Sequence, residues 1–101
     1  MKVNLNAEIS DLSGVPVKGP SGELVTLRSV SIEALLTPLR GDENSTGSEK
    51  AKCFMLASKI SNPDCDNISA EDVVLIKDRI GRGFPALVVG RSYELLDLMV
   101  V

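Results

Sequence analysis

The chain contains no histidine. At neutral pH that removes the usual general base for a serine or cysteine nucleophile and excludes a hydrolase of triad type. Cysteine is scarce: Cys53 and Cys65 stand apart without CxxC spacing, and with no imidazole to join them a zinc site lacks most of its ligands. One falls in a predicted helix and the other in a polar loop, so both are expected as reduced thiols. No apolar stretch approaches the roughly 20 residues that span a bilayer. The amino terminus "MKVNLNAEIS" has neither an apolar h-region nor a small-residue cleavage site, which predicts a cytoplasmic protein with no membrane partner. A basic surplus is also missing. Eleven Lys and Arg against 14 Asp and Glu give a net charge of −3, so direct nucleic-acid binding is not expected. The one basic cluster, Lys77, Arg79, Arg82 and Arg91, is partly offset by Asp78 and reads as a solvated helix end at the negative pole of its dipole.

What is present is an ordinary globular composition, 44% apolar and 25% charged over 101 residues, enough for one domain spanning residues 1–101. Met1, Val3, Leu5, Ala7 and Ile9 alternate with Lys2, Asn4, Asn6 and Glu8, the period of a half-buried strand. Val15 and Val17 fit a second strand with Pro16 at an edge, and "KGPSGE" a turn before "LVTL". The expected fold class is therefore α+β: a small N-terminal antiparallel sheet or hairpin over residues 1–28, then about four helices over 29–101 with a flexible loop at 40–48.

Ile32, Leu35, Leu36 and Leu39 recur at helical intervals after Thr26 or Ser29 as N-cap, and Pro38 should stop that helix near Thr37. A second helix is expected from about Ser48 to Ile60. Ala51, Phe54, Met55 and Ser58 line one of its sides, while Cys53, Leu56 and Ile60 form another apolar stripe nearly opposite. "SAED" starts a third helix with Ser69 as N-cap and Asp72 at N3; Val73, Ile76 and Ile80 form its buried stripe and Gly81 its end. Pro85 fits the first position of a last helix running to about Met99, with a buried strand over "ALVVG" as the alternative, because a short apolar run does not settle its own period.

No motif carries recognisable chemistry. Gly81 and Gly83 follow a predicted helix, whereas a dinucleotide loop follows a strand and a phosphate loop ends in Lys-Ser or Lys-Thr, so they read as helix punctuation. "NPDCDN" lacks the glycine and bidentate glutamate of a calcium loop, and the adjacent Glu71 and Asp72 are explained by capping. The expectation is no enzyme, no cofactor and no metal. What remains is apolar surface: Leu87, Val88, Val89, Tyr93, Leu95, Leu96, Leu98 and Met99 point almost all round the last helix, which must be covered by the domain or by another chain, a second copy included.

The order of "DLSGVPVKGPSGELVTL", "ALLTPL", "EKAKCFMLASKI" and "SAEDVVLIKDRIGRGFPALVVGRSYELLD" resembles small proteins of tailed bacteriophages and prophages, most distinctively from "LIKDRIG" to "GRSYELLD". Such proteins are generally without assigned function; some comparable ones help virion assembly, as tail assembly chaperones do, and others inhibit host defence. The resemblance implies a non-enzymatic phage protein in the bacterial host cell that binds a protein partner, and it brings no catalytic residue. For an assembly helper the candidate surface is Leu87, Tyr93, Leu95 and Leu98, with Phe54 and Met55 as anchors or core. For the alternative, an anti-CRISPR-type inhibitor of a host defence nucleoprotein complex, the candidates are the loop carboxylates Asp42, Glu43, Glu49, Asp64 and Asp66.

Overall fold

Ile9, Val17 and Val25 stand at equal intervals in the chain and close a ring of backbone hydrogen bonds. Ile9 N–H donates to the Val25 carbonyl at 2.8 Å, Val25 N–H to that of Val17 at 3.0 Å, and Val17 N–H to that of Ile9 at 2.8 Å. Isolated antiparallel bridges pair Glu8 with Thr26, Ser10 with Pro16 and Lys18 with Leu24. Turns closed by Gly14 N–H on the Asp11 carbonyl and Gly22 N–H on that of Gly19 separate the arms. Both turns place a glycine at positive φ, 85° at Gly14 and 84° at Gly22, a region that side-chain-bearing residues rarely enter.

The structure, a computed structural model, describes residues 2–39 and 42–98, with side chains up to residue 96. Among these residues there is no β-strand, sheet or hairpin, so the expected α+β class and the hairpin over residues 1–28 are corrected to a mainly helical fold. The reason is arm length. The closely spaced turns leave each arm a single bridge per neighbour, and the third arm folds back onto the first before a ladder can grow. The alternation reported burial correctly: Val3, Leu5 and Ile9 are buried while Lys2, Asn4, Asn6 and Glu8 are exposed.

Four α-helices follow: α1 (Leu27–Leu36), α2 (Gly47–Ile60), α3 (Ala70–Gly83) and α4 (Ala86–Leu98). Thr26 caps α1 in a capping box with Ser29, Thr46 caps α2, and Ser69 caps α3 in a box with Asp72. The "ALVVG" segment is helical, and Pro85 stands just outside α4, its carbonyl accepting from Val89 N–H at 3.0 Å. Within the loop expected over 40–48, a 3-10 turn stands at Asp42–Asn44 and α2 begins at Gly47, while residues 40 and 41 lie outside the described residues.

The main helix contacts run in the order α2–α1–α3–α4. The core joins Val3, Leu5 and Ile9 to Leu27, Val30, Ala34 and Leu35 of α1, Leu56, Ala57 and Ile60 of α2, Ile68, Val73, Ile76 and Ile80 around α3, and Leu96 of α4. Two arginines fasten the periphery. Arg28 donates from Nε to the Ile60 carbonyl at 2.8 Å, from Nη2 to that of Cys65 at 2.6 Å, and from Nη1 to Asn6 Oδ1. Arg91 donates from Nε to the Ser10 carbonyl at 3.1 Å and from Nη2 to that of Asp11 at 2.8 Å, tying α4 to the first turn.

Gly81 does not end its helix, which runs on to Gly83 with Phe84 as C-cap. Neither glycine has a positive φ; what they provide is room. A Cβ at Gly81 would lie 2.6 Å from Tyr93 Oη, and one at Gly83 2.6 Å from Leu39 Cδ2.

Gly81→Ala alone is expected to destabilise the fold, because the added methyl and the Tyr93 hydroxyl compete for one space. With Tyr93→Phe the same change should stabilise by about 1 kcal/mol, the helix-propensity gain of alanine over glycine. A urea double-mutant cycle reads this coupling, and additive effects would refute the contact. Ser92 is fully buried and its hydroxyl has no hydrogen-bond partner. Ser92→Ala should therefore raise stability by about 1 kcal/mol, read as a higher urea midpoint.

Candidate functional site

Pro38 forbids α1 from continuing, and the chain leaves Thr37 to cross the end of α3, where Leu39 occupies the space above Gly83. Arg79 holds this crossing. It is 6% exposed and donates from Nε to the Ala34 carbonyl at 2.9 Å and from Nη2 to that of Thr37 at 2.9 Å. Its Nη1 meets Asp42 Oδ1 at 2.7 Å. Arg82 reaches the same oxygen at 3.2 Å and Asp78 Oδ2 at 2.9 Å, while Asp42 Oδ2 accepts from Leu39 N–H at 2.8 Å. The Leu39 amide first, and then the Arg79 guanidinium, hold the Asp42 carboxyl below the usual carboxylate value.

Between this clamp and the first half of α2 lies an open groove of about 770 Å³, within the size range of small-molecule pockets. Leu35, Leu39, Cys53 and Leu75 form its more buried apolar lining, and Leu36, Pro38 and Phe54 its exposed apolar edge. Leu36 is 55% and Phe54 63% exposed, and the neighbouring Met55 is 69% exposed. The arginines here are committed to Asp42 and Asp78. Lys50 and Lys52 line the groove exposed, and their side-chain ammonium groups have no hydrogen-bond or ion-pair partner among the described residues. The same residues contain no group of three or more His, Cys, Asp or Glu placed to hold a metal ion. Cys53 and Cys65 are free and half-buried.

The structure separates the sequence candidates. Phe54 and Met55 face outward, because the Cys53, Leu56 and Ile60 stripe of α2 is the one that meets the core. Leu87, Tyr93 and Leu95 are half-buried on α4, so they form less open surface than expected. Leu95 packs against the core, and Tyr93 donates its hydroxyl to the Lys77 carbonyl at 2.8 Å under the Lys77 ammonium, 4.9 Å from the ring centre. The Leu98 side chain and Met99 lie outside the described residues.

The acidic candidates form no single face. Asp42 is spent on Arg79 and Arg82; Glu43 and Glu49 lie beside it at the start of α2; Asp64 and Asp66 lie beyond the far end of that helix, about 20 Å along its axis. Asp66 pairs with Lys2 at 3.8 Å. The basic cluster is likewise not a solvated helix end, since Arg79 is buried and Arg91 clasps the first turn. Sequence reasoning missed Arg79 and Leu36 as site residues. The available signal was the spacing of Arg79, three residues after Ile76 and next to Ile80, which sets it within the buried stripe of α3.

No family model, curated protein or solved structure matches the chain. No helix among the described residues is long and apolar enough to cross a membrane.

Because the Asp42 carboxyl is held below its ordinary value of 3.8, its contribution to stability is complete above about pH 4 and is lost as pH falls through the lowered value. Asp42→Asn should destabilise the fold at neutral pH, and its difference from wild type should shrink in acid. Thermal unfolding of both proteins across that range checks this, and a constant difference would refute it.

Proposed function

We propose that this chain is a non-enzymatic phage or prophage protein that acts in the bacterial host cell by binding another protein, as a helper or chaperone of virion assembly. The observation that carries protein binding is the groove beside α2, with Leu36, Phe54 and Met55 exposed at or next to its edge. An apolar edge of this kind favours a partner that brings apolar side chains of its own. The proposed surface therefore moves from α4 to α2 and the α1 end, because α4 spends most of its apolar excess on packing. The phage setting rests on the order of sequence motifs. The alternative of an acidic inhibitor of a host defence complex draws less support, since its carboxylates are divided between the two ends of α2 and Asp42 is paired internally.

The test is affinity capture of the tagged protein from phage-infected cells, wild type beside a Leu36→Ser, Phe54→Ser double variant. Both side chains are exposed, so each change should alter stability by no more than about 0.5 kcal/mol. A phage structural protein retained by the wild type and lost by the folded variant is the expected result. Capture of a host nucleoprotein complex, or retention by the variant, would overturn the proposal.

A further inference from the structure

Going round α2 at about 100° per residue, Ala51, Phe54, Met55 and Ser58 fall on one outward strip, and all are exposed. Lys52 and Lys59 border it on one side and Lys50 on the other; Glu49, the only carboxylate in the helix, lies about 160° from Ala51 and, with Glu43, lines the groove that Phe54 edges rather than the strip itself. An apolar strip with lysine borders thus stands on a chain whose net charge is −3. Lys50 and Lys52 have no ionic partner among the described residues, and Lys59 has only a partly exposed pairing with Asp72 at 3.4 Å.

Resting on the protein-binding reading above, we infer that the occupant of this face is an acidic amphipathic helix of a partner protein. It would set apolar side chains at i, i+3, i+4 and i+7 against Phe54 and Met55 and carry Asp or Glu on its flanks toward Lys50, Lys52 and Lys59. Charge selects against the simplest competitor. In a twofold antiparallel pairing of α2 with a second copy, each border meets its own equivalent, so Lys52 and Lys59 would face lysines. A partner with carboxylate flanks replaces that repulsion with attraction and steers the encounter.

The experiment is selection from a displayed library of amphipathic helices with randomised flanks, using the full chain as target, followed by affinity measurement on the selected peptides. Wild type should enrich Asp and Glu flanks, and a Lys50→Glu, Lys52→Glu variant should enrich Lys and Arg instead. Exchanging a selected peptide's acidic flanks for lysine should weaken binding to wild type by about fivefold or more, and high salt should narrow the gap. Leu12→Ser, at an exposed turn remote in sequence, should leave binding unchanged.

Peptides that need Phe54 and Met55 but show no charge preference would sink the acidic-partner inference and leave the protein-binding reading standing. No enrichment that depends on Phe54 and Met55 would sink the inference together with the α2 face as the binding surface. A dimer in sedimentation that Phe54→Ser dissolves would assign the face to a second copy and overturn the inference.

Discussion

The Arg79 guanidinium fixes the relation between α1, the crossing that follows it and α3. A helix ends with carbonyls that lack partners, and burying such an end without donors is costly. Here the donors come from the side of another helix near its C-terminal end: Arg79 takes the Ala34 and Thr37 carbonyls, and its remaining charge is met by Asp42. One side chain therefore closes α1, anchors the crossing and sets one wall of the groove. The planar fork is what makes this work, because its donors serve several acceptors at once, whereas a lysine would present a single hydrated point charge.

The same device recurs where the chain is least regular. The N-terminal ring has only isolated bridges, too few to stand alone. It is held because its apolar residues enter the helical core, because Arg91 clasps the Ser10 and Asp11 carbonyls of its first turn, and because Arg28 joins Asn6 to the Ile60 and Cys65 carbonyls. Substituting arginine-to-carbonyl bonds for a sheet lets a short chain join distant segments, at residues separated by 30 or more positions. The cost is that several cations become structural, which removes them from any anion-binding role.

Helices were legible in the sequence because capping residues and apolar spacing agree there. Ser69 with Asp72, Thr26, and the Val73, Ile76, Ile80 stripe all hold their expected places. The N-terminal region was legible as a burial pattern but not as topology, because period two records which side chains point inward and says nothing about how many residues each arm can pair. Gly81 does not end α3 as its type suggests, and the helix runs on to Gly83, for a related reason. Sequence ranks glycine by backbone freedom, whereas these two are set by the neighbours Tyr93 and Leu39, which packing alone brings near. The groove was hidden as well, since Leu36 and Phe54 come to line one groove only through the packing of α1 against α2.

The distribution of exposed apolar groups separates packing from binding. Single exposed leucines are common on globular surfaces, and Leu12 at a turn needs no further account. Leu36, Phe54 and Met55 differ because two of them border one groove and the third is adjacent in the chain. The fold makes little use of them: the core side of α2 is already supplied by Leu56, Ala57 and Ile60, with Cys53 packed against it. Polar residues at these exposed positions would leave that core intact, so the apolar edge exacts a cost in solvation with no matching gain in packing. Under the proposed function, contact with another molecule would supply the missing compensation, and the lysines that border α2 would select the sign of its charge.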